Sequence, residues 1–325
     1  MADFTTGWLA LREPADTGAR SAPLVERLAD WLAWRPHDRH EPRAPLGVLD
    51  LGAGTGANLR YLAPRLVRDQ RWVCVDRDRH LLAALILETA SWAPGRGMTV
   101  STEGDGLRIE ARKHGWQVET LGLDLAEGAA ALPITRGTLV TASALFDLVS
   151  DSWLVGLLQA CARAGSPLLA ALTYDGRVEM EPREPIDGLV IGLVNGHQRR
   201  DKGLGPALGP SACSRLVNGA PGLGFTVEGA ESDWTLEPDQ PSLQEALVSG
   251  WAHAAGEQIR EVPGVSTAET RQRLLSIEQW RRARLGHVAA GLSRIRVGHL
   301  DVLLLPGDSG GVGPEPMADR LPTRT

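Results

Sequence analysis

Three glycines alternate through Gly52-Ala53-Gly54-Thr55-Gly56, directly behind an acid set in an apolar run, Val48-Leu49-Asp50-Leu51. Glycine has no Cβ, so the chain can turn tightly there and a ligand can lie against the backbone. A helix opening near Ala57 leaves its first amide N–H groups unpaired, and these favour polar or anionic ligand groups. The chemistry is that of a nucleotide-type cofactor. Asp76 stands 20 residues after Gly56, at the end of the run Arg71 to Val75. A carboxylate there suits the hydroxyls of a ribose. Gly52, Gly54 and Ala57 also satisfy the dinucleotide pattern G-x-G-x-x-G/A, and either cofactor class uses such an acid. These residues call for a nucleoside without choosing which.

A second set of residues suits protons and anions. Asn195-Gly196-His197-Gln198-Arg199-Arg200-Asp201-Lys202 is a dense polar stretch followed by glycines as far as Gly209. His197 titrates near neutrality, which suits a general base. Arg199, Arg200 and Lys202 favour a carboxylate or phosphate. The glycines would let the segment fold over a ligand as a lid. The competing reading is a solvated loop with turn glycines.

Periodic apolar runs supply the elements that must position these residues. Strands are expected at Gly47 to Leu51, Arg71 to Asp76, Val118 to Leu123, Thr138 to Ala144, Pro167 to Leu172, Gly224 to Val227 and Val297 to Leu305. Helices are expected at Ala22 to Trp34, Asn58 to Val67, Arg79 to Ala93, Ser152 to Ala162, Ser242 to Ile259 and Thr267 to Leu292. Leu107 to Ala111 and Trp116 to Val118 read as a small hairpin turning at Lys113-His114-Gly115. Strands alternating with helices imply an α/β chain with a mostly parallel sheet and helices on both faces.

This series resembles the class I S-adenosylmethionine-dependent methyltransferases. Asp50 to Gly56 looks like the family's acidic glycine motif, Asp76 like its ribose acid, and Asp124 with Leu125 like the adenine-flanking pair after the third strand. The run Leu139 to Asp147, with Ser143, looks like the fourth-strand motif beside the methionine end. Gly224 to Val227 and Val297 to Leu305 look like the last two strands, which in the family form a reversed pair with the final strand antiparallel. The resemblance covers about Leu46 to Pro306.

It implies a Rossmann-like sheet of seven strands with substrate-covering insertions. It also implies S-adenosyl-L-methionine as cofactor, held by Asp50, Gly52, Gly54, Gly56, Asp76, Arg77, Asp124, Leu125 and Ser143. The activity implied is methyl transfer to a small-molecule acceptor by in-line displacement, without a metal. Many acceptors must lose a proton as they attack, so a base is expected from the loops after strands four and five. The candidates there are Asp147, Asp151, Tyr174, Asp175 and His197, with His197, Tyr174 and Asp175 carried forward as catalytic. An N-terminal helix often covers the cofactor in this family. That makes Trp8, Arg12 and Arg20 acceptor-pocket candidates, together with Arg200 and Lys202. Trp8, Trp153 and Trp234 are further candidates for lining the pocket or facing the sulfonium.

Two other readings stay open on the sequence. One is a protein of this fold that binds the cofactor as a regulatory or scaffold partner without turnover. The other is a nicotinamide oxidoreductase using Gly52, Gly54 and Ala57.

Composition narrows the classes. The 325 residues carry a net charge of −6, and no motif or basic surplus points to nucleic acid. The basic cluster Arg281, Arg282, Arg284 reads as the solvated face of a helix. Cys74, Cys161 and Cys213 form neither a zinc pattern nor a disulfide framework. No apolar run approaches the roughly 20 residues of a membrane span, and no signal peptide is read at the N-terminus. A cytoplasmic location is expected, and the oligomeric state is left open. The domain reading is a helical cap over 1–45, a methyltransferase domain over 46–306 with insertions near 95–117, 177–210 and 241–292, and a disordered tail over 307–325.

Overall fold

The structure, a computed structural model, describes residues 4–34, 44–261 and 266–307. The expected tail therefore lies outside the described residues except for Gly307, as does most of the stretch between the N-terminal helices and the first strand. In chain order the elements are α1 (Thr6–Ala19), α2 (Ala22–Trp34), β1 (Leu46–Leu51), α3 (Ala57–Leu62), β2 (Gln70–Asp76), α4 (Arg79–Trp92), β3 (Thr99–Glu103), β4 (Gly106–Glu110) and β5 (Gly115–Gly122). There follow β6 (Leu139–Ser143), α5 (Asp151–Ala164), β7 (Leu168–Glu181), α6 (Asp187–Gln198), α7 (Ala212–Gly219), β8 (Phe225–Glu231), β9 (Trp234–Leu236), α8 (Pro241–Arg260), α9 (Thr267–Ala289) and β10 (Arg294–Pro306).

The sheet runs β3-β4-β5-β2-β1-β6-β7-β10-β8, with β9 paired to the far half of β10. Strands β5, β2, β1, β6 and β7 are parallel, while β10 is antiparallel to both β7 and β8. The order reverses beside β1, and this switch point places the ends of β1, β2, β5 and β6 on one rim. The last two core strands are swapped in space, as the resemblance implies. The sheet has ten strands rather than the expected seven. Two of the extra strands come from the hairpin region, where β4 turns back onto β5 as expected and β3 adds outside it. The third, β9, comes from the short stretch after β8.

Burial explains why these segments form. β1 and β6 are mostly apolar and almost wholly buried because both faces are covered. One face packs Leu28, Trp72 and Leu85 under α2 and α4, and the other packs Phe146, Leu154 and Leu157 under α5. A third cluster joins α6, α8 and α9 to the far half of β7 and β10 through Val190, Val248, Ile277 and Ile295.

The segment 177–210 differs from the open polar loop expected. β7 continues to Glu181, and α6 buries Val190, Ile191 and Val194, so an apolar stripe lies just before the polar residues. The helix after β1 is also shorter than expected. It ends at Leu62 and passes into a 3₁₀ turn over Ala63–Arg65, where Pro64 brings no N–H to continue it.

Candidate functional site

The glycine loop is conformationally committed. Gly52, Gly54 and Gly56 all have positive φ, the last at 85° as N-cap of α3. A Cβ on Gly56 would stand 2.8 Å from Leu85 Cγ, and one on Gly54 would stand 3.1 Å from Leu9 of α1. The loop is therefore held from below by α4 and covered by the N-terminal helix. Arg60 ties the two together. Its guanidinium is buried, donates to the Thr55 carbonyl inside the loop (2.5 Å) and makes two bonds to Glu13 of α1 (2.6 and 2.9 Å).

The strand-end acids sit where the sheet order puts them. Asp76 closes β2 and accepts the Gly54 amide (2.9 Å) and the Asp78 amide (3.0 Å), so it shapes the glycine loop it faces. Asp124 follows β5, is exposed and caps a short turn through the Ala126 amide. Leu125 is buried beside it, with its carbonyl held by Trp153 Nε1 at 2.7 Å. Trp153 thus braces this loop from within the core. Ser143 ends β6, half-buried, and Arg77 is exposed beyond β2.

At the centre of this rim lies an incompletely satisfied polar chain. Asn58 donates from its amide to Asp50 (2.6 Å) and Thr141 (3.2 Å), and its carbonyl accepts from Arg20 Nη1 (2.5 Å). Asp50 and Arg20 are both buried. Yet Asp50 Oδ2 and Arg20 Nε and Nη2 have no hydrogen-bond partner among the described residues. Buried polar groups are nearly always paired, so orphans at a ligand loop point to a ligand. Burial pushes the Asp50 carboxyl up to about 7 and draws the Arg20 guanidinium below its ordinary value. Arg20 thus stands with Asn58 and Asp50 beside the glycine loop. Its face stacks on Tyr61, 4.2 Å from the ring centre.

A second cluster gathers at the ends of β6 and β7 under α1. Strand alternation turns Tyr174 and Asp175 to opposite faces. Tyr174 is buried, donates to Asn195 Oδ1 (2.8 Å) and meets the His299 ring edge-on. His299 lies on β10, packs against Trp234 and has a buried Nδ1 without a partner. Burial, and then the nearby Arg12, hold its pKa down at about 4, so it is neutral. Arg12 is bound bidentately to Asp16 (2.9 and 3.1 Å) and lies over Trp234, whose Nε1 donates to the same carboxylate. Trp8, one turn earlier on α1, is half-buried against this cluster.

Asp147 closes the gap between the two clusters. It follows β6 and is buried, and among the described residues no other side chain bonds its carboxylate. Burial pushes its pKa up to about 6 against the opposing fields of Arg12 and Lys202. A carboxylate with that value at the rim is a competent proton acceptor near neutrality.

The remaining candidates are committed elsewhere. Asp175 bonds the Arg177 backbone and guanidinium, and Arg177 also pairs with Asp233. Both ring nitrogens of His197 are engaged, Nε2 with Glu257 of α8 (2.8 Å) and Nδ1 with Lys202 Nζ (3.4 Å). Burial and the Lys202 charge lower its pKa. This is the pattern of a neutral ring donating through Nε2 and accepting through Nδ1, which leaves no lone pair for a substrate proton. Asp151 pairs with Arg215. The loop 199–209 is stitched to the β6 loop by Leu208 N to Val149 O and Gly209 N to Asp147 O (2.8 and 2.9 Å). It is a wall of the site rather than the free lid expected. Asn58, Arg60 and His299 were not singled out from the sequence. The signal for His299 was present, as a histidine and an acid, Asp301, interrupting the apolar last strand.

No family model matches the chain, and no curated protein sequence matches it. Among solved structures it is similar to phosphoethanolamine N-methyltransferase 2 of Haemonchus contortus, at 13% identity and a TM-score of 0.40, covering 94% of this chain. The chain spans 59% of the length of that enzyme. It is similar also to the cyclopropane synthase MmaA2 of Mycobacterium tuberculosis (11% identity, TM-score 0.39, 94% of this chain and 87% of that one). A third is an S-adenosylmethionine-dependent methyltransferase of Thiobacillus denitrificans, crystallised with S-adenosylhomocysteine (14%, 0.38, 93% and 99%). These likenesses are remote. The chain's own strand order, with its acid-closed parallel strands and its swapped, antiparallel last strand, gives it the fold of the class I methyltransferases.

Proposed function

We propose that this chain is an S-adenosylmethionine-dependent methyltransferase acting on a small molecule. The observation that carries the reading is the orphaned pair at the glycine loop. A buried carboxylate oxygen of Asp50 and two buried guanidinium nitrogens of Arg20 stand on either side of Asn58. Together they complement an amino-acid zwitterion, with the ammonium toward Asp50 and the carboxylate toward Arg20. The methionine end of the proposed cofactor is such a zwitterion, and a nicotinamide dinucleotide has none. Asp76 at the ribose position and Asp124 at the adenine side support the same placement.

When bound, the cofactor supplies an electrophilic methyl group on a sulfonium. The chain's own work is to align an acceptor atom with it and to exclude water, since orientation alone removes much of the barrier. α1 covers the loop through Leu9, Glu13 holds that helix to Arg60, and Trp8, Tyr174 and Trp234 offer apolar walls. Asp147 takes the proton that an N–H or O–H acceptor sheds as it attacks. His197 holds other groups in place instead of serving as the base.

Binding calorimetry with S-adenosylmethionine, S-adenosylhomocysteine and NADH tests the reading, on the full chain and on Asp76→Ala. The expected result is binding of the first two, weakened by roughly 10- to 100-fold in the variant, the usual worth of hydrogen bonds to a charged group. Binding of NADH alone would replace methyl transfer with the oxidoreductase reading.

A further inference from the structure

Of the 34 basic residues only two, Lys113 and Lys202, are lysines. Lys113 is exposed on the turn between β4 and β5. Lys202 is half-buried on the loop that bonds the backbone of Asp147 and Val149 after β6. No carboxylate lies within ion-pair distance of it among the described residues, although Arg12 and Arg200 each have one, in Asp16 and Glu261. Its one hydrogen bond is to the neutral acceptor Nδ1 of His197, which Glu257 anchors from α8. Burying an ammonium without a counter-ion is costly, so the arrangement is unfinished as it stands. Arg200 adds a second unspent donor. Its Nε and Nη1 bond Gln258 and Glu261, while Nη2 is buried without a partner. The field of Lys202 reaches Asp147, and the backbone of the same loop bonds the Asp147 carbonyl through Gly209. Two cationic donor groups without a carboxylate partner among the described residues, Lys202 Nζ and Arg200 Nη2, therefore stand on the wall next to Asp147.

We propose that Lys202 and Arg200 bind an oxyanion, a carboxylate or phosphate, carried by the methyl acceptor, whose reacting N–H or O–H then lies at Asp147. The acceptor class is a small acid bearing an amine or hydroxyl. This rests on the methyl-transfer reading, and its first test is independent of that reading. His197 is a positioning residue here, since its neutral ring is what holds the ammonium in place.

With only two lysines, reductive dimethylation with ¹³C-formaldehyde gives two lysine methyl signals on the full-length protein, with Lys202 assigned by its loss in Lys202→Arg. Inorganic phosphate is the probe, titrated against chloride at constant ionic strength. The Lys202 signal should shift saturably and its titration midpoint should rise, while Lys113 stays still. No shift, or the same shift at both lysines, overturns the proposal. In turnover, followed by S-adenosylhomocysteine release, acids should outperform their neutral counterparts (glycine over methylamine, 3-hydroxybenzoate over phenol). Lys202→Gln should raise KM for the acid at least tenfold with kcat nearly unchanged, and Lys202→Arg should recover most of the loss. A preference for the uncharged acceptors would sink the proposal and leave methyl transfer standing. Absence of cofactor binding would sink methyl transfer and with it the acceptor role, whatever the phosphate result.

Discussion

The glycine-loop end and the Tyr174–His299 end of the candidate site are built in different ways. At the glycine loop the bonds to the strand-end acids are short in sequence, while Arg20 and Glu13 reach it from the N-terminal segment. Asn58 reaches Asp50 across 8 residues, and the Gly54 amide reaches Asp76 across 22. At the other end the longest of them joins Asp16 to Trp234, 218 positions apart. Tyr174 comes from β7, His299 from β10 and Lys202 from the loop after α6. The glycine loop and its flanking strands are fixed as those strands pair, with Arg20 and Glu13 closing on it from the N-terminal segment. A site made from α1, α6 and the last strand exists only after the whole sheet has closed. The first should tolerate no change of shape, and the second should tolerate substitution while changing what it does.

Asp147→Asn gives the largest effect expected. Losing a proton acceptor typically costs about 10² to 10⁴ in rate. Turnover should fall by that order with cofactor affinity unchanged. In the parent protein the rate should climb as pH rises through about 6, because Asp147 is active only as the carboxylate and its pKa is raised to that value. The variant should lose this limb. An unchanged limb in Asp147→Asn would assign the base elsewhere and blur the division between the two ends.

The acid limb of stability comes next. His299 has its pKa lowered to about 4 by burial, whereas in the unfolded chain it titrates at the ordinary value near 6.5. The folded state then refuses a proton that the unfolded state accepts. Stability is unaffected above about 6.5 and falls as pH drops toward 4, by up to about 3 kcal/mol for the full shift. Denaturant melts of His299→Gln at pH 7 and pH 5 should show a smaller difference than the parent does. Equal pH sensitivity in both would place the acid-labile group outside this cluster.

The smallest effect tests shape at the glycine-loop end. Gly56→Ala puts a Cβ at a φ of 85° and 2.8 Å from Leu85. Backbone strain of about 1–2 kcal/mol plus the contact should lower the melting temperature and weaken cofactor binding together. Gly97→Ala, at a φ of 74° with open space around it, should show the backbone strain alone. Equal losses in the two would mean that the packing of α4 under the loop does not matter.

The sequence by itself determined the parallel strands, the acids that close them, the glycine loop and the hairpin beside the third strand. Each depends on local rules: an apolar run buried on both faces, a positive φ that glycine accepts, an acid at a strand end. It also carried the elements that were misjudged. The stripe Val190, Ile191, Val194 was present but lay just ahead of a polar cluster that drew the reading toward a loop. β3 and β9 are short edge pairings whose partners, not their own residues, make them strands.

Only the tertiary structure decided which charged groups are free to act. His197, Asp175 and Arg12 were as chemically suitable as Asp147 and Lys202. Folding brought Glu257, Arg177 and Asp16 against the first three and left the last two without an ion-pair partner among the described residues. A side chain's chemistry is written in its type, but its availability depends on what else lies within about 3 Å, the reach of a hydrogen bond. Asp16 and Arg177 sit close by in sequence, but Glu257 comes from a helix 60 residues away that no local pattern around His197 records.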